Sequence, residues 1–135
     1  MTTGNTNQKP KVVTKLFRRT ANQDTQSLSL LLTLLEMIRK EIDTEAPSQM
    51  IAVFIRVALN DGITMNALVE ETGMSQSSIS RNIAALADKH RLGFKGHGLV
   101  CTMEDPSSRR RKIVSLTPKG KQLKRRVIDI LSLRH

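Results

Sequence analysis

The sequence predicts a mainly α-helical fold carrying one small β-hairpin, and three observations predict it. Residues 64–89 hold two helical segments separated by the turn Thr72-Gly73-Met74, the second rich in small polar side chains (S-Q-S-S-I-S-R-N-I-A-A-L). Two β-prone runs, Leu99–Glu104 and Lys112–Leu116, follow on either side of an arginine-rich linker. Strongly apolar helical segments flank this unit at both ends. Helix, turn, helix and hairpin in that order make a winged helix-turn-helix held between two terminal helices.

The first terminal helix is predicted from Asn22 to about Glu45, capped by Asn22 or Asp24 and limited by Pro47. Eight of the eleven residues from Leu28 to Ile38 are apolar, more than one buried stripe requires. In a chain this small, contact with a second copy is the economical explanation. Ser48 begins the next helix, with Met50, Ile51, Phe54, Ile55 and Ala58 on one face, and Asn60-Asp61-Gly62 stops it. Thr64 is placed to cap the short helix Met65–Glu71.

Ser75 caps the second helix of the pair, which is predicted to run to about Lys89. Ile79, Ile83 and Leu86 recur at i, i+4 and i+7 and form its inner face. Residues 93–98 read as a flexible loop. Asp105 to Arg111 is long for a tight hairpin and reads as an extended wing. Thr117-Pro118 then opens a closing helix to about Leu133, proline taking the first helical position. The resulting division is a basic flexible arm over 1–20, a terminal helix over 21–47 with a face for a second copy, a winged helix-turn-helix unit over 48–116 and a closing helix over 117–135.

Charge points to the partner. The 135 residues hold 22 Lys and Arg against 12 Asp and Glu, a formal net charge of +10. Residues 89–126 alone hold twelve cations and two acids, whereas 21–47 hold two cations and five acids. An excess concentrated on the hairpin and its flanks suits a polyanion, nucleic acid before membrane. Trp and Tyr are absent and Phe occurs three times, which leaves little from which to build a stacking platform for single strands or an aromatic-lined effector pocket. Duplex DNA is therefore the expected partner, with no small-molecule effector evident.

In a helix-turn-helix the second helix enters the major groove by its N-terminal turns. Ser75, Gln76, Ser77, Ser78, Ser80 and Arg81 are the candidate contacts there, Gln76 pairing with adenine and Arg81 with guanine. Asn82 lies nearer the buried side. In the wing and its flanks the candidates are Ser108, Arg109, Arg110, Arg111, Lys112, Lys95 and Lys119. Adjacent cations repel unless a polyanion is near, and arginine gains in the negative potential of a narrow minor groove.

Other constellations are weak. Cys101 is the single cysteine, so there is no intramolecular disulfide framework, and it reads as a structural thiol in a wing strand. His97 and Cys101 lack the further ligands a structural zinc needs, so no metal and no cofactor is expected. Glu70-Glu71 point apart on a helix, and no Ser-His-Asp pattern emerges. The chain is not expected to be an enzyme. No apolar run reaches a membrane span and none follows the basic N-terminus as a signal peptide, so a cytoplasmic, nucleoid-associated protein is expected.

From about Met50 to Leu123 the sequence resembles the MarR family of bacterial winged-helix regulators. The carrying residues are L-V-E-E-T-G-M-S-Q-S-S-I-S-R-N-I-A-A-L-A-D-K and D-P-S-S-R-R-R-K-I-V-S-L-T-P-K-G, with S-L-T-P-K-G (Ser115–Gly120) the most specific. The resemblance implies a homodimer with interlocked terminal helices that binds an inverted-repeat operator and represses or regulates transcription. Candidate interface residues are Leu28, Leu31, Leu32, Leu35 and Ile38 in the first helix and Leu123, Val127, Ile130 and Leu131 in the last. The family's wing carries an Asp-x-Arg element whose aspartate braces the arginine. Ser108 and Arg110 occupy those positions here, so the brace is either missing or supplied by Asp105. One C-terminal helix is read where the family commonly has two, so dimerisation is expected to depend more on the N-terminal helix. A non-specific architectural DNA-binding protein and a winged-helix protein-interaction adaptor are the alternative functions.

Overall fold

The computed structural model describes residues 20–88 and 95–132. The predicted basic arm up to Arg19, Lys89, the loop start at Gly93-Phe94 and Leu133 lie outside the described residues. Helix α1 spans Ala21–Glu41. Its cap is Thr20, not Asn22 or Asp24. The Thr20 hydroxyl accepts from the Gln23 N–H and the Gln23 side chain accepts from the Thr20 N–H, a reciprocal capping box. The helix stops four residues short of Glu45, where Arg39 Nε donates to the Thr44 carbonyl across the turn.

Helix α2 spans Ser48–Leu59 behind Pro47. Its buried face centres on Val53, Phe54 and Val57, while Met50, Ile51, Ile55 and Ala58 are only partly covered. The predicted face is thus rotated, because α2 is apolar on most of its circumference and packs against α4, α3 and the sheet together. Strand β1, Ile63–Thr64, was not expected. It pairs antiparallel with β3, which makes the sheet three-stranded in the order β1-β3-β2 instead of a lone hairpin.

Helix α3, Met65–Thr72, is capped by Thr64 and ends at Gly73, whose φ of +73° is the left-handed conformation that turns the chain into the next helix. Helix α4, Gln76–Leu86, is capped by Ser75 and stops three residues before Lys89. Carbonyls at its end and just after it bond instead to a returning segment: Gly96, His97, Gly98 and Leu99 N–H groups donate to the Asp88, Ala85, Ala87 and Leu86 carbonyls. Residues 95–98 are therefore tied into the fold, not a free loop.

Strands β2, Val100–Asp105, and β3, Ser108–Leu116, form the wing. The expected long linker is a two-residue turn, Pro106-Ser107. The Asp105 carboxylate accepts from both the Ser107 N–H and its hydroxyl, and this local bond closes the turn. Helix α5, Pro118–Ser132, completes the chain.

One core joins these elements. Phe54, Leu68, Ile79, Leu86, Leu99, Val100 and Val114 are fully buried, with Ile38 of α1, Ile42 just after it and Leu123 of α5 at its edge. Burying each large side chain contributes about 1.5–3 kcal/mol. No buried side-chain nitrogen or oxygen among the described residues lacks a partner, so the interior gives no sign of a polar site.

Candidate nucleic-acid interface

Helix α4 is fixed in rotation by Ile79, Ile83 and Leu86, all buried. That turns Gln76, Ser77, Ser80 and Arg81 outward, where all four are exposed. The Ser75 hydroxyl accepts the Ser78 N–H at 3.1 Å and lies 3.4 Å from the Ser77 hydroxyl. The other first-turn N–H groups remain open, and with the helix dipole they attract anions.

Gln76 and Ser80 make no side-chain hydrogen bond among the described residues. Ser78 differs: it is half-buried, its hydroxyl accepting from Arg81 Nη2 at 3.3 Å and its carbonyl from Asn82 Nδ2 at 2.9 Å. Asn82 is thereby folded back onto its own helix, and Arg81 lies along the exposed edge.

In the wing, Glu104 pairs with Lys112 while the next residue, Asp105, pairs with Ser108. Arg109, Arg110 and Arg111 lie between those two partners, so β3 bulges outward over its three arginines. The arginines and Lys112 are exposed and Ser108 is half-buried. Asp105 sits beneath, half-buried, with Oδ2 4.0 Å from Arg111 Nη1. Its carboxyl is held below the ordinary carboxylate range chiefly by the Ser107 N–H and next by the Ser107 hydroxyl; partial burial opposes this and Arg111 adds to it. The structure thus joins Asp105 to Arg111, not Arg110. The Asp-Pro-Ser sequence carried the turn signal, but not the identity of the arginine.

The flanking cations behave differently from each other. Lys95 is exposed, whereas Lys119 Nζ donates to the His97 carbonyl at 2.9 Å. Arg56 of α2 and Glu71 of α3 form an ion pair at 3.2 Å that joins the two helices, a link the sequence did not suggest.

The candidate interface residues also divide. Leu28, Leu31, Leu32 and Leu35 are exposed, by 68% at Leu28 and 41% at Leu35. On α5, Leu131 is exposed and Ile130 and Val127 are half-buried. Ile38 and Leu123, by contrast, are buried in the chain's own core. Ile128, which was not singled out, is half exposed on the same helix. Glu41 and Arg126 pair between α1 and α5.

Cys101 is half-buried and lies opposite Ser115. Among the described residues, no group of three or more His, Cys, Asp or Glu side chains could hold a metal ion, and no helix is long and apolar enough to cross a membrane. An open depression beside α5 is lined by Asp61, Leu116, Lys121, Lys124, Arg125, Ile128 and Asp129, without an aromatic side chain.

No protein-family model and no curated protein sequence matches the chain. Solved structures do. A MarR transcriptional regulator from Methanosarcina mazei Go1, 22% identical, aligns over 82% of this chain and 72% of its own with a TM-score of 0.58. The fold is that of the MarR-type regulators. The PcaV transcriptional regulator from Streptomyces coelicolor, solved with its natural ligand, aligns over 80% of this chain and 71% of its own, at 20% identity and a TM-score of 0.54. BpsR from Bordetella bronchiseptica, whose DNA binding is regulated by 6-hydroxynicotinic acid, aligns over 78% of this chain and 75% of its own, at 18% identity and a TM-score of 0.52. In the MarR fold, α3 and α4 are the helix-turn-helix and the β2–β3 hairpin is the wing.

Proposed function

We propose that the chain is a dimeric, sequence-specific duplex-DNA-binding transcriptional regulator, acting as a repressor. Helix α4 enters the major groove, and Gln76, Ser77, Ser80 and Arg81 read base edges. The arginine bulge of the wing enters the adjacent minor groove, where Arg109, Arg110 and Arg111 meet the strongest negative potential. Lys112, Lys95, Lys119 and the open first-turn N–H groups of Gln76 and Ser77, beside Ser75 and Ser78, hold phosphates, supplying most of the affinity but little specificity.

The observation that carries the reading is the wing register. Three exposed arginines bulge from β3 over a single, half-buried carboxylate, so their charge is left for a partner. The MarR fold and the +10 charge agree with it. The exposed leucines of α1, with Leu131, Ile130 and Val127 of α5, form the homodimer surface, and two-fold symmetry requires an inverted-repeat operator.

Fluorescence anisotropy with duplex from upstream of the chain's own gene, competed by a shuffled duplex near physiological salt, tests the reading. Resistance to the shuffled competitor supports a specific regulator. Equal competition on that fragment and on a fragment selected from random DNA supports the architectural alternative.

A further inference from the structure

The end of the recognition helix and the start of α5 hold the same piece of backbone. On one side, the Gly96, His97, Gly98 and Leu99 N–H groups bond to the last carbonyls of α4 and the residues just after it, at 2.7–3.1 Å. On the other side, the Thr117 hydroxyl donates to the Gly98 carbonyl at 2.6 Å and the Thr117 N–H to the Leu99 carbonyl at 3.0 Å. The same hydroxyl accepts the Gly120 N–H at 3.0 Å and so caps α5.

The contacts leave no slack. A Cβ on Gly96 would lie 1.9 Å from the Ala87 carbonyl oxygen, and one on Gly120 would lie 2.1 Å from that of Leu99. Segment 96–99 is a strap pulled tight between two helices. Helix α5 also pairs with α1 through Arg126 and Glu41, so the strap is a hydrogen-bonded link from the terminal helices to α4.

We propose that Thr117 is a positioning residue for base recognition: by holding the 96–99 strap it fixes the orientation of α4 relative to α5. Thr117 touches no DNA itself. A small tilt of a recognition helix misaligns bidentate base contacts, whereas phosphate contacts from long, mobile side chains tolerate it. The role rests on the proposed DNA-binding function, and Thr117 determines how well α4 discriminates, not how strongly the chain binds any duplex.

Thr117→Asp separates the two tasks of the hydroxyl. Aspartate is a good N-cap for α5, but as a carboxylate it cannot donate to the Gly98 carbonyl. Thr117→Ser keeps both bonds. Affinity of the full chain for a selected site and for random duplex, measured across salt, is the first readout. Amide hydrogen exchange at residues 96–99 is the second.

In Thr117→Asp, site affinity is expected to fall about ten-fold or more relative to random duplex with little change in salt slope, amide protection at 96–99 is expected to drop while α2 keeps its own, and Thr117→Ser restores both. Equal loss on both duplexes, retained protection at 96–99, or failure of Thr117→Ser to rescue overturns the proposal. A wild-type chain that shows no site preference refutes the specific-regulator reading instead. Exchange then decides the strap alone, and unchanged protection in Thr117→Asp refutes it.

Discussion

Asp105 and Arg111 are joined across the base of the wing, the carboxylate 4.0 Å from the guanidinium and bonded at its other oxygen to Ser107. As a surface ion pair this contact contributes little to stability. Its consequence is geometric: the turn is closed at Ser107, and the arginines are pushed into a bulge beyond it.

The titration of Asp105 follows from this arrangement. Its folded pKa lies below the ordinary value of 3.8, so its contribution to wing order is present above that value and is lost as pH falls through the folded pKa. Titration of the Asp105 carboxyl by nuclear magnetic resonance is expected to show a midpoint below 3.8, moving part of the way back in Ser107→Ala, which keeps the backbone bond and loses the hydroxyl. A midpoint indifferent to Ser107→Ala contradicts the assignment.

Base and phosphate contacts are expected to separate by mutation. Arg81→Ala should reduce affinity for the selected site by about 1–3 kcal/mol while leaving random duplex nearly unaffected. Lys112→Ala should weaken all duplexes similarly and reduce the salt slope by about one. Equal loss on every sequence from Arg81→Ala would remove it from the reading set.

The turn between α3 and α4 depends on Gly73. Its φ of +73° strains any L side chain, although a Cβ there would meet nothing within 4 Å. Gly73→Ala should therefore destabilise the fold by about 1–2 kcal/mol through the backbone alone, measured by urea unfolding. An unchanged midpoint would show that the backbone relaxes out of the left-handed conformation.

Dimerisation is expected to depend on the exposed face of α1. Leu32→Glu with Leu35→Glu should convert a dimer to a monomer in sedimentation analysis without lowering helix content, since both residues are exposed in the chain itself. Ile38→Glu should instead unfold the chain, because Ile38 is in its core. A double variant that stays dimeric places the interface elsewhere.

The helices were legible because their signals are local. Thr64 and Ser75 cap the helices they precede, and Ile79, Ile83 and Leu86 repeat at helical spacing. What the sequence hid is set by tertiary contact. Strand β1 has two residues, too few for a period, and exists because β3 pairs with it. Helix α2 is apolar nearly throughout from Met50 to Leu59, so periodicity could not choose Val53 and Val57 over Ile51 and Ile55. The outward residues of α4 were readable from their polarity and the hairpin from its β-prone runs, but the register of the wing was not. Its arginines follow a two-residue turn and swing out through a register shift that no run of residue types encodes. Thr117 was visible as a cap, whereas its bond to Gly98, nineteen residues earlier, was not.

Sequence-specific recognition is tested by selection of duplexes from a random pool by the full chain near physiological salt. A dimeric regulator enriches an inverted repeat whose half-sites lie about 10–10.5 base pairs apart, or a multiple of that spacing, with preference lost in Arg81→Ala. A pool that stays random after repeated rounds, while still binding the protein, would contradict it.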